Sequence, residues 1–185
     1  QNPRFSEDLD FDTDLRSISA IENLIGDTLL LIEKVGIEIR LHEAKQTTGG
    51  YLAIADFTAQ GYTTPIQLEI SLRNGKKKNG TATVVLSEFF PAYNLVQLAE
   101  GHLIEGKMHA LLERNKPRDF YDFYFLLRAN MIKEKKRDVL KRILALLEEK
   151  NIRFNGELKE FLPKNQWLII RNLKTALKRE VERYL

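Results

Sequence analysis

Three groups of residues in this chain have the types and spacing that chemistry uses. The first is Asp8-Leu9-Asp10, inside the stretch RFSEDLDFD of Arg4 to Asp12. Residues two apart on a β-strand project from the same face, so both carboxylates can reach one hard cation while Leu9 and Phe11 enter a core on the other side. Held together, the two charges repel unless something neutralises them, and Mg²⁺, with its preference for carboxylate and phosphate oxygens, is the usual agent. A solvated acidic edge is the plainer reading of the same pair. The second group is a single carboxylate, Glu69, within IQLEISL of Ile66 to Leu72. There Ile66, Leu68, Ile70 and Leu72 share one apolar face and Glu69 points the opposite way. If this strand neighbours the first with its polar face on the same side, three carboxylates converge; otherwise Glu69 is the outward residue of an ordinary half-buried strand.

The third group is EGKMHALLERNKPRDFYD, Glu105 to Asp122. Lys107 and Arg114 are seven apart and share a helical face, Lys116 and Arg118 flank Pro117, and Asp119 and Asp122 follow at i, i+3 on the next helix. Pro117 breaks the first helix, so Lys107 and Asp122 fall on two helices of a hairpin and can face each other. Arg118 and Asp122, at i, i+4, also have the spacing of a simple surface pair. His42, His102 and His109 have no partner at metal-ligand spacing and read as structural. Ser6, Ser71 and Ser87 lack the His and Asp context of a nucleophile. The aromatic run from Phe120 to Phe125 reads as packing for a helical bundle.

Elements must hold these groups in place. Alternation in Arg4 to Asp12 predicts a strand, and the spacing of Ile21, Ile25, Leu29, Ile32 and Val35 predicts a helix from Ile18, closed by Gly36. Strands follow at Ile37 to Leu41, Tyr51 to Phe57, Ile66 to Leu72, Thr81 to Leu86 and Tyr93 to Val96, with turns between them. One such turn carries Lys76 to Lys78 and reads as a hairpin tip. Helices follow at Leu103 to Arg114, Arg118 to Ala129, Lys135 to Glu149 and Asn165 to Tyr184, the last with Ile170, Leu173, Leu177, Val181 and Tyr184 as its stripe. The fold class is α+β: a mixed sheet with one early helix over residues 1–97, then a helical domain over 98–185.

Composition narrows the function. The chain has 185 residues, 43% hydrophobic and 30% charged, with no cysteine, which suits a soluble globular protein and excludes disulfides and Cys-based zinc sites. No apolar run reaches the ~18 to 20 residues of a membrane helix, so no membrane partner is expected. Gln1 to Arg73 carries 6 Lys/Arg against 12 Asp/Glu and the remainder 23 against 14, net −6 and +9 within the total of +3. Such segregation suggests an anionic partner for the second half. The only methionines are Met108 and Met131, so the expectation is a fragment or processed product; the polar, acidic start is unlike a secretory signal, which suggests the cytoplasm.

RFSEDLDFD, then I-x-L-E-I-S, then GKMHALLERNKPRDFYDFYFLL, in this order and spacing, resemble the AbiEii/AbiGii family of nucleotidyltransferase-like toxins of bacterial abortive-infection and toxin–antitoxin systems. The resemblance covers most of Arg4 to Leu127. It implies a DNA polymerase β-like nucleotidyltransferase fold, in which Asp8 and Asp10 match the metal-binding pair, Ser6 the serine that precedes it, and Glu69 the third carboxylate. Lys107 matches the lysine of the helical motif, and Arg118, Asp119 and Asp122 its R-D-x-x-D end. The implied catalytic set is Asp8, Asp10, Glu69, Lys107 and Asp122, with Ser6, Lys107, Arg118 and Asp119 on the nucleotide. The implied cofactor is Mg²⁺ or Mn²⁺, the substrates a nucleoside triphosphate and the end of a tRNA or other RNA, and the partner a cognate antitoxin.

One family hallmark is missing: a Gly-Gly or Gly-Ser pair that opens a helix upstream of the D-x-D strand and cradles the triphosphate. Only seven residues precede Asp8, and Gly49-Gly50 lies in a loop after the carboxylates. The N-terminal part of the core is therefore expected to be absent from this chain, which should then bind nucleotide poorly. The alternatives are a non-catalytic nucleotide- or RNA-binding module of the same fold and a metal-dependent nuclease.

Overall fold

In the computed structural model, the described residues are 4, 8–15, 17–72, 80–86, 91–132, 137–149 and 151–185. Ser6, Ser87 and the Lys76 to Lys78 turn lie outside them. The chain divides into two compact units, Ser6–Ala99 and Glu100–Leu185, the latter joined by Gln1–Phe5. The α+β class expected from the sequence is what the structure shows: a mixed sheet and several helices.

The first unit contains β1 (Asp8–Asp12), α1 (Ile18–Glu33), β2 (Glu38–Thr47), β3 (Gly50–Ala59) and β4 (Tyr62–Ser71), followed by β5 (Gly80–Val85) and β6 (Tyr93–Leu98). The first four strands form one sheet in the order β1-β4-β3-β2, with β1 parallel to β4 and the rest antiparallel. Ser17 starts α1 by accepting the Ala20 N–H, and Gly36 at φ 87° ends the turn that follows it, a backbone region that suits glycine. On the sheet, Tyr51 lies opposite Ile70 and Ala53 opposite Leu68, which places these four on one face. Ile21 of α1 buries itself there, with Ile18 and Ile25 beside it. One face of the sheet is thus apolar and helix-covered, and the other mostly polar, with Leu52 and Ile54 beside Glu69 and Gln67.

Two expectations change. Leu9 and Phe11 are on the helix-covered face by register, yet each is 47% exposed. β1 is an edge strand, and the side chains packed under α1 are Leu68 and Ile70 of β4, Leu72 just beyond it, and Leu15. The β-rich stretch also does not make a single sheet: among the described residues β5 and β6 pair only with each other, as a two-stranded ribbon.

The second unit contains α2 (Glu100–Arg114), α3 (Pro117–Arg128), α4 (Arg137–Glu149), α5 (Phe154–Leu158), a 3₁₀ turn (Lys164–Gln166), α6 (Trp167–Arg171) and α7 (Leu173–Tyr184). Asn115, at φ 54°, ends α2, and Pro117 opens α3, where its missing N–H and fixed φ cost nothing. Phe120, Tyr121 and Phe123 are fully buried, in a core shared with Leu111, Leu140, Ile143, Leu147, Leu173, Leu177 and Val181. The aromatic run therefore packs the bundle, as its density suggested. The long C-terminal helix expected from Asn165 to Tyr184 is broken at Asn172 (φ −110°, ψ 8°), and α5 has no counterpart among the expected elements.

Candidate functional site

The acidic group lies on the polar face of the sheet. Within the parallel β1–β4 pair, Asp8 is opposite Gln67, Asp10 opposite Glu69 and Asp12 opposite Ser71. Facing residues on neighbouring strands share a side, so Asp8, Asp10, Asp12 and Glu69 all project away from α1. Asp10 and Glu69 are exposed, and the Gln67 amide donates to Glu69 Oε1 at 2.7 Å. Along this edge runs a cleft of ≈420 Å³, lined by Asp10, Asp12, Thr47, Leu52, Glu69 and Ser71 among others. At Gly50 a Cβ would stand 1.9 Å from the Ile70 carbonyl oxygen; only glycine lets β3 begin so close to β4.

Among the described residues, no three carboxylate or imidazole groups stand at metal-ligand spacing. The donor set nonetheless suits a hard divalent ion: oxygen ligands only, on one face, exposed enough to leave room for the waters that Mg²⁺ retains.

The second group lies wholly within the helical unit. Asp122 is buried on α3, its side chain 6% exposed. Arg4 grips it bidentately, Nε to Oδ1 at 3.0 Å and Nη2 to Oδ2 at 3.2 Å, and Lys107 Nζ from α2 reaches Oδ2 at 2.8 Å. Burial alone would raise the Asp122 carboxyl, but the hydrogen bonds and charges of Arg4 and Lys107 outweigh it and hold the group below its ordinary 3.8. The neighbouring Tyr121 hydroxyl is pushed up to about 12, by burial first and the Asp122 charge second. It is buried without a hydrogen-bond partner among the described residues.

Asp119 is also buried, with a different task. Its Oδ1 accepts Arg114 Nη2 at 2.7 Å and its Oδ2 accepts the Lys116 backbone N–H at 3.2 Å. It thereby caps α3 and ties the α2–α3 turn together. Arg118 is half-buried beside it, and the hairpin places Asp122 against Lys107 and Arg4, not in a surface pair with Arg118. Arg4 had no sequence signal beyond its place before the D-x-D strand, because its partner lies 118 residues away. The histidines pair with nearby carboxylates: His42 with Asp56 at 2.7 Å, His109 with Glu113 at 3.3 Å and His102 with Glu105 at 4.0 Å. Among the described residues no helix is long and apolar enough to cross a membrane.

The profile of a family described as nucleotidyl transferase AbiEii toxin, type IV TA system, matches residues 1–182. No curated protein matches the chain. Two solved structures resemble it in fold. One is a Helicobacter pylori protein assigned as a nucleotidyltransferase, at 20% identity and a TM-score of 0.50, covering 98% of this chain and 82% of that one. The other is JHP933 from Helicobacter pylori, at 20% identity and a TM-score of 0.51, covering 98% and 79%.

Proposed function

The chain belongs to the AbiEii toxin family of nucleotidyl transferases, and from that premise we propose that it transfers a nucleotide from a nucleoside triphosphate to the terminal hydroxyl of an RNA, with tRNA the first candidate and pyrophosphate released. The observation that carries this reading is the β1–β4 register, which sets Asp10 opposite Glu69 and Asp8 on the same face. Asp8, Asp10 and Glu69 would hold Mg²⁺ or Mn²⁺. When bound, such an ion supplies charge neutralisation for the triphosphate and acidifies the attacking hydroxyl.

The rest falls to side chains. Lys107, with one of its three ammonium donors on Asp122, offers the others to phosphate oxygens. Asp122 fixes where that ammonium stands and is itself kept ionised by Arg4. Asp119 holds the turn that brings α2 and α3 together. Arg118, beside it, supplies a further cation for the nucleotide, and Ser6 the hydroxyl that the family places ahead of the D-x-D pair. As a toxin of a type IV system, the protein would act opposite a cognate antitoxin in the same cytoplasm.

The test is product length. The whole protein is incubated with Mg²⁺, total tRNA and each labelled nucleoside triphosphate in turn, and the RNA is resolved on a denaturing gel. Labelled RNA grown at its end, and absent when Asp8→Ala is combined with Asp10→Ala, is the expected result. Shortened RNA would select a nuclease. Bound but unaltered RNA, with a steep salt dependence indifferent to the double substitution, would select a non-catalytic binding module.

A further inference from the structure

The positive charge of the helical unit is unevenly spread. Lys159 to Arg179 carries six Lys/Arg against one Asp/Glu, whereas Glu100 to Leu158 carries thirteen against ten. Along α6 and α7 the residues Trp167, Arg171, Lys174 and Lys178 follow at i, i+4, i+7 and i+11, the spacing of one helical face. The break at Asn172 does not disturb that phase. The Ala176 N–H still donates to the Asn172 carbonyl, Ile170, Leu173, Leu177 and Val181 are buried on the inward face, and Arg171, Lys174 and Lys178 are exposed. At a rise of 1.5 Å per residue, these cations are spaced by about 4.5 and 6 Å along the axis. Such a row can follow one strand of a charged backbone.

Trp167 heads the row with an aromatic ring. Its indole N–H donates to the Leu162 carbonyl at 3.2 Å, which fixes the ring, and the side chain is only half-buried. The Lys159 ammonium lies over that ring, 5.1 Å from its centroid. Lys159 is exposed, and a cation–π contact in water is weaker than the stacking of a nucleobase on an aromatic side chain. A base can therefore take its place and leave the ammonium to a phosphate. The row itself is loosely committed: Lys178 Nζ meets Glu148 Oε1 at 2.7 Å, but the two side chains are 46% and 59% exposed. Surface pairs of this kind are weak and give way to a stronger anion.

We propose that this face of α6 and α7 is a docking surface for single-stranded RNA, in which Trp167 stacks an unpaired base and Arg171, Lys174 and Lys178 take successive phosphates. The choice of RNA rests on the transferase reading; the surface itself needs neither metal nor triphosphate. An acidic protein would engage the same cations, but an aromatic ring at the head of the row favours a nucleic acid.

The experiment titrates the whole protein, in EDTA, with a labelled oligouridylate of about 12 nucleotides, within the span of known single-strand sites. Binding is followed by anisotropy and by the fluorescence of Trp167, the one tryptophan in the 185 residues, with thermal melts to confirm folding. Trp167 should be quenched, and log affinity should fall with log salt at a slope of about −2, from three phosphates at about 0.7 each. Arg171→Gln and Lys174→Gln should each flatten that slope by about 0.7. Trp167→Leu should weaken binding by about tenfold and leave the slope unchanged. Arg183→Gln, an exposed cation of the same helix that lies off this face and pairs with Glu180, should change neither. Asp8→Ala combined with Asp10→Ala should not weaken binding. An unquenched Trp167, a slope indifferent to both Arg171→Gln and Lys174→Gln in folded protein, or equal affinity for a blunt RNA duplex would overturn the surface. Polyglutamate binding as tightly as the RNA would overturn it in favour of an acidic protein partner. RNA bound here without nucleotide transfer would sink the transferase reading and leave this surface standing, whereas transfer to tRNA with KM unchanged by Arg171→Gln and Lys174→Gln would do the reverse.

Discussion

Arg4→Ala is the sharpest structural perturbation available, because it removes two charge-assisted hydrogen bonds from a carboxylate that is 6% exposed. Each such bond contributes about 1.5 to 3 kcal/mol net. Lys107 remains on Oδ2 and offsets part of the loss, so the expected cost is about 3 kcal/mol, toward the lower end of breaking a buried pair. For a chain of this size that lowers the melting midpoint by roughly 6 to 12 °C. Lys107→Ala should cost only about 1 kcal/mol, because its side chain is more exposed and Arg4 keeps Asp122 satisfied. The assay is urea unfolding of wild type, the two single variants, Asp122→Asn, and Arg4→Ala combined with Asp122→Asn. Once Arg4 is gone, removing the Asp122 charge should be far less harmful than in wild type, with a coupling of about 2 kcal/mol. An Arg4→Ala cost under about 0.5 kcal/mol, or strictly additive substitutions, would refute the buried-cluster reasoning.

Further outcomes follow from the same geometry. Asp122 is held below 3.8 in the folded state, so the folded protein binds fewer protons in the window beneath that value, and the stabilisation present above 3.8 disappears as pH falls through the lowered one. The stability gap between wild type and Asp122→Asn should therefore be constant above this window and close within it, as measured by melts along a pH series. Gly50→Ala would drive a Cβ into the Ile70 carbonyl and should destabilise the sheet by about 1 to 3 kcal/mol; an unchanged midpoint would show that β3 can shift. Tyr184→Phe removes a hydroxyl whose one proton is shared between two acceptors, the Leu127 carbonyl (2.8 Å) and Asn130 Oδ1 (2.9 Å), and should cost about 1 kcal/mol in the same denaturation assay.

What the sequence revealed depended on how local the signal was. Alternation placed β1 and β4 and aimed Glu69 away from the apolar face, because side-chain period and burial agree in those stretches. Pro117 announced the α2–α3 hairpin and, with it, the meeting of Lys107 and Asp122. The break at Asn172 was invisible, since Ile170, Leu173, Leu177 and Val181 keep helical spacing across it and all four are buried. Spacing reports which face is covered, not whether the hydrogen-bond ladder is continuous. The exposure of Leu9 and Phe11 depends on how far α1 extends over an edge strand, which is a tertiary fact. Arg4 was missed for a related reason: a buried carboxylate requires a cation, but nothing local says which of 29 Lys and Arg residues will supply it.

The central claim is that Asp8, Asp10 and Glu69 act together on one divalent ion. Titration of the whole protein with Mn²⁺, followed by the electron paramagnetic resonance signal of the free ion, tests it without recourse to a substrate. The account predicts saturable Mn²⁺ binding that Mg²⁺ displaces, that weakens with Glu69→Gln and that is lost when Asp8→Ala is combined with Asp10→Ala. Equal Mn²⁺ affinity in wild type and all of these variants, each shown to be folded, would contradict it.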